Sequence, residues 1–107
     1  MIPDSGMLAR VATFDQLPED LDSDAVNLLR KTVRETPGYV AGFHLRSDEG
    51  KALSIVVVES MEAGRAVGAA LDRRPVDQRI GVSPDKVEFF KAEAFEETVT
   101  VFGTRQG

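Results

Sequence analysis

The sequence predicts a ferredoxin-like α+β fold, in which two helices cover one face of a four-stranded antiparallel sheet. Three observations lead there. Two-residue and helical periods alternate in the order β-α-β-β-α-β, the pattern of a split-βαβ unit. The strands are apolar on both faces, yet two helices cover only one. The length, 107 residues, suits a single domain over residues 1–107 with one core.

Each element has its own justification. Met7 to Phe14 (MLARVATF) is short and apolar at most positions, and reads as the first strand. Leu17-Pro18-Glu19-Asp20 turns the chain into a helix that Asp22 or Ser23 caps with a short side-chain oxygen. Ala25, Val26, Leu28, Leu29, Thr32 and Val33 then form one apolar stripe, and Pro37-Gly38 ends it. Tyr39 to Arg46 is the second strand and Ser47 to Gly50 a hairpin loop. Lys51 to Glu59 (KALSIVVVE) is the third strand, with the strongest β-branched character. Ser60 caps a second helix, Met61 to about Asp72, whose buried face of Ala63, Ala66, Val67, Ala70 and Leu71 is small. Gly64 and Gly68 within it cost about 1 kcal/mol each relative to alanine, which points to close approach of helix and sheet. Arg73 and Arg74 suit the negative helix end, and Pro75 closes it. After a loop, Lys86 to Phe95 is the fourth strand. Glu96 to Phe102 extends it or adds another, and residues 103–107 form a frayed tail.

Composition removes several classes of function. The chain has no cysteine, which excludes disulfides, thiolate nucleophiles and Cys-ligated metals. The stretch from Met1 to Gly6 lacks the features of a signal peptide and no apolar run approaches ~20 residues, so a cytoplasmic protein without membrane association is expected. Net charge is −5, which argues against nucleic acid as a partner. The acids Asp15, Glu19, Asp20, Asp22 and Asp24 precede the bases Arg30, Lys31 and Arg34. That arrangement compensates a helix dipole.

The third strand carries Leu53, Ile55 and Val57 on one face and Ala52, Ser54, Val56 and Val58 on the other. The first strand divides into Met7, Ala9 and Val11 against Leu8, Ala12 and Phe14. Neither face is suited to water. A monomer would expose an apolar area larger than soluble monomers usually carry. A two-fold homodimer with facing sheets, and with exchanged C-terminal strands, is therefore expected in preference to cover by the chain's own loop and tail.

Other uses of the topology fail on residues. RNA-recognition modules need aromatic side chains on the first and third strands; the third strand here is aliphatic and the first offers only Phe14. A metallochaperone needs cysteines in its first loop. An amino-acid-sensing module favours a glycine-rich turn where Asp15-Gln16-Leu17-Pro18-Glu19 stands. The Pro37-Gly38-Tyr39 step, Gly42, the hairpin at Ser47–Gly50 and the third strand running into Ser60-Met61-Glu62-Ala63 resemble the antibiotic-biosynthesis monooxygenase-like family, part of the dimeric α+β barrel superfamily. The resemblance covers about Met7 to Phe95. It implies a homodimer with a cavity in each subunit. It also implies, for some members, oxygenation of small aromatic or polyketide-like substrates by dioxygen without metal or flavin; other members degrade haem, isomerise lactones or have no known activity. The family's tryptophan is missing. The only asparagine, Asn27, lies on the first helix, and the only tyrosine, Tyr39, opens the second strand in a packing position.

Alternation splits the second strand into Tyr39, Ala41, Phe43 and Leu45, suited to packing under the helices, and Val40, Gly42, His44 and Arg46, directed to the cavity or dimer face. His44 is the catalytic candidate, because imidazole alone has an unperturbed pKa near neutrality and cofactor-free oxygenation needs a base. Arg10 is the substrate-binding candidate, an anion clamp for a phenolate or carboxylate; its structural alternative is pairing with Glu88 or Glu93. Ser54 and either Phe89 or Phe90, with Phe90 the candidate, line the same pocket, while Lys91 and Glu93 form a solvated pair. No metal and no cofactor are expected. Two functions remain in view: a cofactor-independent monooxygenase-like enzyme, and a non-catalytic dimeric barrel that binds a small hydrophobic molecule or serves in assembly.

Overall fold

The elements β1 (Leu8–Phe14), α1 (Ser23–Arg34), β2 (Tyr39–Arg46), β3 (Ala52–Val58), α2 (Met61–Asp72) and β4 (Lys86–Lys91) follow in the expected order in a computed structural model that describes residues 7–75 and 78–93. They build one antiparallel sheet in the order β2-β3-β1-β4. Local chemistry sets the limits. The Asp22 carboxylate accepts from Asp24 N at 3.1 Å and starts α1, and Ser60 Oγ accepts from Ala63 N at 3.0 Å and starts α2. After α1 the chain reverses at Gly38, where φ is 91°. The same left-handed geometry closes the β2–β3 hairpin at Gly50, φ 93°. At the end of α2 the Leu71 carbonyl accepts from both Arg74 N at 3.4 Å and Arg74 Nε at 3.2 Å.

Val33, Val56, Val58, Ala63 and Val67 form the buried core, with Leu8, Leu29, Tyr39 and Leu71 packed against it. Val58 and Val67 are fully buried, at 0% exposure. The expected close approach of α2 is realised at Gly64, where an added Cβ would stand 2.9 Å from Phe89 Cε1. At Gly68 the nearest atom, Arg10 Nη2, would be at an ordinary 3.8 Å.

One residue corrects the expected facing of β2. Tyr39 pairs with Val58 and lies under the helices as expected, but the register then skips Val40, so that Ala41 pairs with Val57. This bulge reverses the parity of everything after it. Ala41, Phe43 and Leu45 stand on the outer face with Val57, Ile55 and Leu53, whereas Gly42, His44 and Arg46 stand on the helix side with Val56, Ser54 and Ala52. The outer face thus keeps Phe43, Leu45 and Phe90 between 42% and 50% exposed.

Two expectations about charged partners also change. Glu88 shares the outer face with Val11, on the other side of the sheet from Arg10, and meets Lys86 at 3.6 Å. Among the described residues that pair replaces the expected one between Lys91 and Glu93. Ala92 N donates to Met7 O at 3.0 Å, one bond beyond β4. The strand ends at Lys91, so Ala92 and Glu93 fall outside it against the expected Lys86–Phe95, and residues 94–95, the extension over Glu96 to Phe102 and the tail lie outside the described residues. Among the described residues, no helix is long and apolar enough to cross a membrane.

Candidate functional site

Three of the four candidate site residues share the helix side of the sheet, in adjacent cross-strand rows. One row runs His44, Ser54, Ala12, Val87 across β2, β3, β1 and β4; the next runs Gly42, Val56, Arg10, Phe89. His44 and Ser54 are direct neighbours. Arg10 lies two strand spacings across and two residues along from His44, about 12 Å between Cα positions on ordinary sheet spacings. The fourth candidate is corrected. Phe90 pairs with Ala9 on the outer face, and Phe89 takes the helix side against Gly64.

Above these rows lies a cleft of ≈ 640 Å³ between α1, the loop that precedes it and the sheet, lined among others by Asn27, Arg30, Tyr39, His44, Arg46 and Ser54. A second hollow of ≈ 360 Å³, toward the end of α2, contains Arg10 and Asp72. The two share the walls Phe14, Leu29, Val33, Ser54, Val56 and Ile80, and so form one trough.

The sequence explains why the trough exists. Gly42 has no side chain to fill it, and an added Cβ there would come 3.0 Å from Tyr39 Oη. The tyrosine therefore packs on the core and also walls the cleft, a role the packing assignment missed. Ser23, Asn27, Arg30 and Arg34 all line the same cleft. Their spacing of four, three and four residues is a helical face, legible beside the apolar stripe. Opposite, Arg46 Nη1 donates to Leu17 O at 2.8 Å and Nη2 to Pro18 O at 3.2 Å, fixing the loop over the cleft. Leu17 N donates to Gly50 O at 2.9 Å and Gln16 Nε2 to Glu49 O at 3.2 Å, which ties that loop to the hairpin.

The electrostatics differ between the two ionisable candidates, His44 and Arg10. Partial desolvation, reinforced by Arg30 and Arg46, pushes the His44 imidazole below its ordinary pKa of 6.5. It is neutral at neutral pH, with a lone pair available. Burial lowers the Arg10 pKa, while Asp72 acts in the opposite sense. Among the described residues Arg10 makes no ion pair within 4 Å, so the expected structural pairing does not occupy it. Nor do the described residues gather three potential metal ligands at any point.

Comparison with known proteins rests on structure. No family model matches the chain, and no curated protein matches it. Among solved structures, SnoaB, a cofactor-independent oxygenase from Streptomyces nogalater, superposes with a TM-score of 0.64 at 19% identity, covering 87% of this chain and 100% of that one. The chain has the fold of the antibiotic-biosynthesis monooxygenase-like proteins. A monooxygenase from the gene ActVA-Orf6 of Streptomyces coelicolor, solved with nanaomycin D, gives 0.50 at 23% identity over 86% of this chain and 91% of its own. A protein of unknown function from Nitrosomonas europaea gives 0.58 at 15% identity, over 88% and 96%. The monooxygenase-like fold thus also occurs in proteins without an assigned reaction, and the chemistry has to be argued from the trough.

Proposed function

We propose that this protein is a cofactor-independent monooxygenase-like enzyme acting on a small aromatic or polyketide-like ligand held in the helix-side trough. The observation that carries the reading is the convergence of His44, Ser54 and Arg10 on the helix side of the sheet, where they line the two adjoining hollows. The fold shared with SnoaB supports it. His44, neutral and beside two guanidinium groups, takes the proton of a phenol; the cations favour the phenolate that remains. Arg10 is the anion partner for a phenolate or carboxylate. The electron-rich phenolate passes one electron to dioxygen, the resulting pair forms a carbon–oxygen bond, and loss of water leaves a quinone. The balance is phenol plus dioxygen giving quinone plus water, with His44 returning the proton.

In this reading two copies associate through their outer sheet faces in the cytoplasm, covering Phe43, Leu45 and Phe90. The test is dioxygen uptake with hydroquinone-like substrates. The parent protein turns over, and His44→Ala, folded by circular dichroism, loses about a hundredfold or more of that rate. Equal rates for the two proteins would remove His44 as the base.

A second reading has an observation of its own. Among the described residues no side chain hydrogen-bonds or ion-pairs with His44 to orient its ring. A non-catalytic barrel that binds a small hydrophobic molecule needs no such orienting group. Stoichiometric ligand binding without any dioxygen uptake would select it.

A further inference from the structure

The chain is acidic, at −5, yet its trough is not. Of nine arginines in the sequence, six line the two hollows: Arg10, Arg30, Arg34, Arg46, Arg74 and Arg79. None of the four lysines does, and of eighteen acids only Glu19 and Asp72 are among the described lining residues. A concave site lined by one sign of charge concentrates ligands of the other. The choice of arginine over lysine matters as well, because the planar fork matches a carboxylate.

These charges form two groups. Arg30, Arg34 and Arg46 surround the His44 end, under α1. Arg10, Arg74 and Arg79 surround the other, near the end of α2. Several already serve the fold: Arg46 holds Leu17 and Pro18, Arg79 Nη2 donates to Asp72 O at 2.6 Å, and Arg74 Nη1 donates to Gln78 O at 3.2 Å. Arg10 makes no such bond among the described residues, and the wall between the two groups is mostly apolar, with Phe14, Leu29, Val33, Val56 and Ile80 beside Ser54 in both hollows. We infer that the ligand is an elongated aromatic bearing an anionic group at each end, one held by Arg10 and the other by the arginines beside His44. This deepens the proposed function and rests on the trough being the ligand site.

The test is calorimetric binding of naphthalene-2,6-dicarboxylate and of 2-naphthoate to the full chain at neutral pH and low salt. The dicarboxylate binds at least about tenfold tighter than the monocarboxylate, the value of one further charge-assisted contact. Arg10→Gln abolishes that advantage. Arg65→Gln, which removes an exposed α2 arginine outside both hollows, preserves it. Should Arg10→Gln fail to fold, Asp72→Asn decides: removing the acid that acts on Arg10 strengthens dicarboxylate binding selectively. Equal affinity for the two probes, an advantage that survives Arg10→Gln, or an unmoved Asp72→Asn overturns the inference while leaving the trough as a ligand site. Binding of neither probe overturns the trough reading and the inference together.

Discussion

The two helices meet the same sheet face in opposite ways. Under α2, the small residues Ala63 and Gly64 allow contact so close that Val58 and Val67 are fully buried. Under α1, the helix presents Asn27 and Arg30 toward β2, and β2 answers with Gly42 and His44, leaving a cleft of ≈ 640 Å³. One junction is core and the other is cavity. Both are built from the same alternation of side chains, so the difference comes from side-chain size on the helix and from the glycine opposite. On the proposed function, stability and ligand chemistry are thereby separated on one surface, and substitutions at the two junctions should have different signatures.

The largest effect is expected where the α2 junction is tightest. Gly38 has φ 91°, and an added Cβ would lie 2.5 Å from Ala63 Cβ. Gly38→Val combines backbone strain with overpacking and should lower the urea-unfolding free energy by about 3 kcal/mol or more. Val67→Ala leaves a cavity in the same junction and should cost about 2 kcal/mol by the same assay, without altering ligand affinity. Ser60→Ala removes the α2 cap and should cost about 1 kcal/mol. At the α1 junction the ordering inverts. Gly42→Val changes stability by less than about 1 kcal/mol, because Tyr39 has an open cleft to move into, but fills the trough and abolishes binding of 2-naphthoate. If Gly42→Val unfolds the protein while Val67→Ala is silent, core and cavity have been exchanged.

The smallest effect is a pH dependence. The His44 pKa lies below 6.5 in the folded protein and near 6.5 in the unfolded chain, so the unfolded state takes up the proton first as pH falls. Stability is therefore fully present above about pH 6.5 and declines as pH falls through the folded-state value. The decline is slight, because the residue is largely exposed. Dioxygen uptake should fall over the same range as the base is protonated. His44→Gln should flatten both curves.

The element order, both helix caps and the apolar outer face were legible because each depends on local pattern: Asp22 and Ser60 precede helical periods, and Leu53, Ile55 and Val57 leave no polar face on β3. Arg10, Ser54 and His44 were legible as polar interruptions in apolar strands. That His44 lies under the helices was not, because its facing depends on the bulge at Val40, a single extra residue with no compositional mark of its own. For the same reason Phe89 and Phe90 could not be told apart from sequence. Their facing depends on how β4 aligns with β1, a long-range register that alternation alone leaves open. The polar face of α1 was present in the spacing of Ser23, Asn27, Arg30 and Arg34, and was overlooked because helix-dipole compensation already accounted for the charges.

The facing of the sheet is what every part of this account depends on, and methyl NMR tests it directly. With a saturating naphthalene carboxylate, ligand protons should show contacts to the methyl groups of Val33 and Val56, on the helix side, and none to Val11 and Val57, on the outer face. Contacts to Val11 and Val57 with silence at Val33 and Val56 would place the ligand on the other side of the sheet and contradict the account.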